Sequence, residues 1–359
     1  MGCAWGFIIE RGMSSGLTQG TTPTKRIEFI DAMRGFTIFL VVLSHVAMFC
    51  VNATESRSMI SEYCDQVMNQ LFFLVSVFVI YKAGEVWDLG YVVRFFKKRI
   101  TVLLLFPLLF FLAYMHVNGF NILEGFFHEP KHGYWYTYTL FIFLVFYACA
   151  RFCLRERVAE VVLVVLGVCF LPSGWPVLIS HIPLSEDVLC FFCFSHWQYF
   201  LFFVLGVLIR KYYSAFQQFL DQKWLLPLCI AVYFLGNAFG DAISVPNAIK
   251  NLPIVFAALI VVFAFFRKKE DLFSQRSWVG RSMQFVGRRT LDVYLIHYFL
   301  LPVNFGIVVT AFVDHSMPFL EFVVATSISI LIILMSLLIG SIIRLSPFLA
   351  HWVFGAKQR

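Results

Sequence analysis

The chain has 359 residues, 60% of them apolar and only 14% charged, against about 45–50% and about 25% in an average soluble domain. So few charges cannot cover the surface of two ordinary soluble domains. Charge-poor apolar runs at 103–115, 140–152 and 322–343 fit bilayer-crossing helices, which need about 20 mostly apolar residues. The expectation is therefore an all-α polytopic membrane protein with a single integral domain.

That domain is expected over residues 25–346, between a disordered tail at 1–24 and a cytoplasmic tail at 347–359. The start does not resemble a signal peptide, because the short apolar stretch Ala4–Ile9 runs into Glu10 and Arg11. It also lacks the hydroxyl residue that N-myristoylation wants at position 6, which is Gly6. Apolar runs place about ten spans near 34–53, 67–82, 100–117, 134–152, 158–178, 189–209, 224–240, 251–266, 290–312 and 319–343. With the N-terminus inside, 25 of the 28 basic residues fall in cytoplasmic segments, leaving Arg57, Lys131 and Lys250 outside. The positive-inside rule then makes both termini cytoplasmic. Trp87 and Trp224 lie near expected inner ends, and Trp135 and Trp175 near outer ones, as interfacial rings should.

The net charge of +7 points to an anionic inner leaflet or an anionic cytosolic ligand rather than nucleic acid. Between spans eight and nine, Val279, Met283 and Val286 share a helical face beside Arg281 and Arg288, the pattern of an interfacial helix or of a plain connecting helix. The nine cysteines lie mostly inside apolar runs and read as small buried hydrophobes, Cys190 and Cys193 included.

Ionisable residues within spans are costly and are the first candidates for function. In span one, Arg34 and His45 are eleven residues apart, about 16 Å along one helical face, and Asp31 sits one turn before Arg34 to orient it. An imidazole there serves as a general base near neutral pH, and an arginine at the mouth suits phosphate. The pair equally fits an interface anchor and a hydrogen-bonded core histidine. At the start of span nine, Thr290, Tyr294 and His297 form a polar stripe at i, i+4 and i+7, behind Arg288 and Arg289. This stripe fits either a site or hydrogen bonds to neighbouring helices. Ahead of span three, the cluster Arg94, Lys97, Lys98 and Arg99 is a topology signal or a phosphate contact.

Two matches carry less. The stretch from His128 to His132 satisfies a zinc-protease pattern, but Pro130 opposes the helix it needs. Asn52-Ala-Thr54 matches a short glycosylation acceptor. No acidic residue lies deep in a span, where ion-coupled transporters place them, and no metal site is expected.

The motifs resemble the acyltransferase 3 family of integral membrane acyltransferases, which includes sugar O-acetylases of the fucose 4-O-acetylase type. The residues that carry the resemblance are Arg26–His45, Phe95–Pro107, Tyr134-Trp135-Tyr136, Phe202–Gly206 and Gly287–His297. It implies a ten-span domain that takes an acyl group, acetyl in the first instance, from cytosolic acyl-CoA to a saccharide or lipid-linked sugar. Arg34 and His45 would be the essential pair. Arg34, Lys98, Arg99, Arg289, Tyr294 and His297 would contact acyl-CoA, which is a donor substrate and not a bound cofactor. The expected setting is a bacterial inner membrane, with membrane lipid as the other partner and no nucleic acid. The competing class is a transporter or flippase of a polyprenyl-linked glycan.

Overall fold

Helix α1 (Glu28–Phe49) begins with Glu28 and Asp31 in its first turn, where negative charge suits the helix dipole, and continues through an apolar run to Phe49. The computed structural model describes residues 27–49, 59–82, 84–128, 131–171, 184–239, 247–301 and 318–346. The further α-helices are α2 (Met59–Asp65), α3 (Met68–Ile80), α4 (Leu89–Ile100), α5 (Phe106–Val117), α6 (Ile122–Phe127), α7 (Trp135–Cys153), α8 (Glu156–Cys169) and α9 (Glu186–Phe191). They continue with α10 (Phe200–Lys211), α11 (Tyr213–Leu220), α12 (Leu225–Phe239), α13 (Asn247–Lys268), α14 (Trp278–Arg288), α15 (Thr290–Leu300) and α16 (Pro318–Ile343). A π-helical turn, Thr101–Leu105, joins α4 to α5.

Among the described residues, six stretches are long and apolar enough to cross a membrane: Glu28–Phe49, Tyr63–Ile80, Leu89–Val117, Trp135–Cys153, Lys250–Lys268 and Phe319–Ile343. A bent pair, Phe194–Lys211 with α11, is long and apolar enough only when taken together and is broken by 98°, the form of a broken span or a re-entrant loop. The protein is thus an all-α, multi-pass integral membrane protein. Of the ten expected spans, the first, fifth and ninth run past α1, α8 and α15 into 50–53, 172–178 and 302–312, outside the described residues. Residues 1–26 and 347–359, together with Asn52-Ala-Thr54 and Trp175, also lie outside them.

Two spans start earlier than their apolar runs. α1 begins six residues ahead of Arg34, and the third span begins at Leu89 and carries the basic cluster as a helix. Helical hydrogen bonding continues through polar ends as long as the charged heads reach water, so hydropathy marks the bilayer and not the helix.

α1 and α3 lie between two apolar clusters. One face meets α5, α7, α10, α15 and α16 through residues such as Phe73, Phe143, Phe203 and Ile296. The other meets α12 and α13 through Phe29, Leu71 and Phe263.

The connecting helix α14 is held differently from the amphipathic reading. Its buried residues are Gly280, Gln284 and Gly287, again at i, i+4 and i+7, while Val279, Met283 and Val286 are only half-buried. Glycine lets two backbones touch: a Cβ on Gly287 would strike the Asp31 carbonyl, and one on Gly35 would strike the Met283 carbonyl. Such a contact leaves no hydrophobic signature. Farther along, Arg344 clasps the buried Asp292 with two bonds, at 2.6 and 3.2 Å, tying α15 to α16.

Candidate active site

α1 and α15 face each other at two levels. At the first, Arg34 Nη2 donates to Thr290 Oγ1 at 3.0 Å, and Arg34 Nη1 lies 3.8 Å from the Asp31 carboxylate. Asp31 is buried, so the guanidinium is held on one side by a fixed charge and on the other by the first residue of α15. At the second level, His45 Nδ1 and His297 Nε2 are 3.0 Å apart, and the Tyr298 hydroxyl lies 3.0 Å from His45 Nε2. Because Arg34 precedes His45 and Thr290 precedes His297, the two helices run in the same sense.

Direction along the second level follows from donor and acceptor chemistry. His297 Nδ1 lies 3.0 Å from the Val293 carbonyl oxygen and 2.9 Å from that of Tyr294. Carbonyl oxygens only accept, so His297 Nδ1 carries the hydrogen, and in the neutral ring Nε2 is the acceptor. His45 must then donate from Nδ1. That leaves His45 Nε2 as the basic nitrogen of the pair not engaged by the other ring, facing the Tyr298 hydroxyl. The network therefore fixes one tautomer of His45 and orients its base. His297 is fully buried and His45 half-buried, so the basic nitrogen sits at the edge of a packed interior.

The predicted stripe on α15 divides. Thr290 and His297 turn to α1, whereas Tyr294 donates to the Gly133 carbonyl at 3.0 Å. Arg289 points to α16, where it donates to Ser341 Oγ at 2.6 Å. Arg99 folds back on its own helix, with its guanidinium 3.4 Å above the Phe95 ring and Nη1 bonded to the Phe95 carbonyl at 2.9 Å. The side chain of Lys98 lies outside the described residues. Asp31, Arg34, His45 and His297 are thus brought together along the α1–α15 seam, while Arg99, Arg289 and Tyr294 are bonded elsewhere.

Tyr298 is the residue that sequence reasoning passed over. The signal was present: one more turn of the stripe, i+8 from Thr290, is Tyr298.

The turn before α7 closes the His45 end of this seam. Lys131, His132 and Gly133 take φ of 52, 47 and 94°, a left-handed run that excludes an α-helix through the zinc-like pattern. Gly133 is required there twice over, since a Cβ would also enter the Tyr298 ring. His128 and His132 stack at 4.7 Å. Burial, and then His128 beside it, hold the His132 imidazole below its ordinary range. Tyr134, which follows Gly133, donates to the Leu295 carbonyl at 3.0 Å and packs its ring 5.6 Å from that of Tyr298.

A family model described as an acyltransferase domain matches residues 27–339, a range that includes every residue of both levels. No curated protein and no solved structure matches the chain.

Proposed function

The chain belongs to this acyltransferase family, and from that premise we propose that it moves an acyl group, acetyl in the simplest case, from cytosolic acyl-CoA to a hydroxyl of a glycan or lipid-linked saccharide. The observation that carries the reading is the directed chain from the Val293 and Tyr294 carbonyls through His297 to His45, which presents one oriented base at Nε2. An acceptor hydroxyl reaches that nitrogen by taking the place of the Tyr298 phenol. His45 then accepts the hydroxyl proton as the oxygen attacks the thioester carbonyl. The carbon–sulfur bond breaks, and the leaving thiolate takes the proton back from the imidazolium, giving the ester and free CoA.

Arg34, oriented by Asp31, binds a CoA phosphate in this reading, with Lys98, Arg99 and Arg289 as further cations reached by side-chain rotation. The roughly 16 Å from Arg34 to His45 suits the pantetheine arm between phosphate and thioester. His297 is a positioning residue here: its bond to His45 supports the base, and Tyr294 supports the turn at Gly133.

The test is acetyl-CoA turnover by the purified chain in vesicles with candidate sugars, followed by mass analysis of the product. His45→Ala is expected to lower kcat about 10²–10⁴-fold in a variant that still folds, with a modest drop in melting temperature because His297 Nε2 loses its donor. Full transfer by the folded variant would remove the proposed base. A flippase would neither bind radiolabelled acetyl-CoA nor consume it.

A further inference from the structure

Beside the His45 end of the seam lies a cavity of about 100 Å³. Its walls are almost wholly apolar, with Leu103, Leu104 and Pro107 on one side and Phe126, Tyr134 and Phe191 on the other. The cavity has a structural origin. Pro107 has no N–H to offer the carbonyl one turn back, and the preceding turn is π-helical, with the Phe106 N–H bonded to the Thr101 carbonyl five residues earlier. Wide turns of this kind are frequent at functional sites. Leu103 and Leu104 of that turn line the space together with Pro107.

Its far wall is pinned by a charge. The buried Lys131 ammonium donates to the Phe126 carbonyl at 2.5 Å and the Cys190 carbonyl at 3.0 Å, clamping the ends of α6 and α9 over the cavity. Burying a lysine is costly even in a turn between spans, and the left-handed backbone at Lys131 adds strain. Both are tolerated where they hold this roof in place.

Three observations identify the occupant. The lining is hydrocarbon and aromatic, and apolar cavities stay dry and take hydrocarbon guests, as one of about 150 Å³ takes benzene; at about 100 Å³ this one suits a slender chain segment rather than a ring. The rim residue Leu108 is 38% exposed on the outward side of the span, where the solvent is lipid. The inner wall, Tyr134, packs on Tyr298, whose hydroxyl meets His45. We infer that the cavity takes a hydrocarbon chain of a membrane-resident acceptor, entering sideways from the bilayer and carrying its hydroxyl toward His45. Resting on the acyl-transfer reading, this assigns the acceptor to the lipid-linked class rather than to free saccharides.

The experiment uses the full chain in lipid nanodiscs and has two arms. In the first, a long-chain alcohol bearing a mid-chain diazirine is photolysed and its adducts are mapped. Adducts are expected to concentrate on 103–111 and 134–138, and to fall about tenfold in Leu103→Trp, which removes space for about two methylenes. Labelling spread evenly over lipid-facing residues such as Leu109 and Leu331, unchanged in the variant, would overturn the proposal. In the second arm, Leu103→Trp should raise KM for an alkyl glycoside about tenfold and leave KM for acetyl-CoA and for the alkyl-free sugar unchanged. Equal KM for both acceptors in both proteins would overturn it. Site-selective labelling without any acetyl transfer would instead sink the reading of the function and leave the cavity as a chain site.

Discussion

The seam where α1 meets α14 and α15 and the span over 89–117 hold their backbones in opposite ways. Of the apolar stretch of α1, 61% is buried, against 22% for 89–117. In the seam, glycines bring main chains into contact, with Gly287 against the Asp31 carbonyl and Gly35 against the Met283 carbonyl. In the outer span the helix widens to a π turn and stands off from its neighbours around a cavity. The contrast teaches where rigidity is needed. An oriented base requires α1 and α15 to keep a fixed spacing, because the His45–His297 bond of 3.0 Å tolerates little shift. A wall that admits a chain has no such requirement.

The strongest way to break this comparison is Gly287→Val. The new side chain meets backbone rather than a movable side chain, so α14 must leave α1. The expected cost is about 3 kcal/mol, seen as loss of a single thermal transition in detergent; a variant that melts like the parent would show that the seam is not close-packed. Next is Asp292→Asn, which removes the buried carboxylate that Arg344 clasps. Leaving one partner of such a pair costs about 3 kcal/mol. The loss should appear in melting temperature and be relieved by Arg344→Met in the same chain, whereas additive losses would deny the coupling.

Much of this arrangement was legible in the sequence, and the parts that were not share a cause. The all-α membrane class followed from composition, and the Arg34, His45 and Thr290-to-His297 patterns pointed to α1 and α15, since polar residues stand out on apolar helices. The α14 contact was not legible because glycine has no side chain to give periodicity; the half-buried Val279, Met283 and Val286 do pack against the core, but they lie beside the glycine face that touches α1. The separate destinations of Arg289 and Arg99 were hidden for another reason. A long cationic side chain chooses among partners on different helices, Ser341 and Phe95 here, and no local pattern records which helix lies within reach. The pairing of His45 with His297 needed the fold itself, since 252 residues separate them.

The seam's chemistry can be sharpened without disturbing its packing. His297→Leu removes the acceptor of the His45 Nδ1–H, and an unsatisfied buried donor costs about 1–3 kcal/mol. If that cost falls on the oriented tautomer, kcat for acetyl transfer drops about tenfold or more while KM for acetyl-CoA holds. His297→Gln, whose carbonyl oxygen can accept the same hydrogen, should recover part of the rate. Equal rates for Leu and Gln would show that His297 acts by filling space.

The smallest effect is expected on the opposite side of the comparison, at Gly125. This glycine on α6 also lacks room for a Cβ, and by distance alone it resembles Gly287. The obstructing atoms differ: they are the terminal methyl and sulfur of Met115 and the tip of Phe111, all side-chain atoms of α5. Methionine has three rotatable bonds and fills irregular space without a strong preference, and the neighbouring cavity gives the ring somewhere to go. Gly125→Ala should therefore cost less than about 1 kcal/mol, offset in part by the lower helix propensity of glycine. Melting temperatures of Gly125→Ala and Gly287→Ala in the same detergent decide the matter. If the two fall together, crowding alone sets the cost; if only Gly287→Ala falls, the difference lies in whether backbone or side chain must yield.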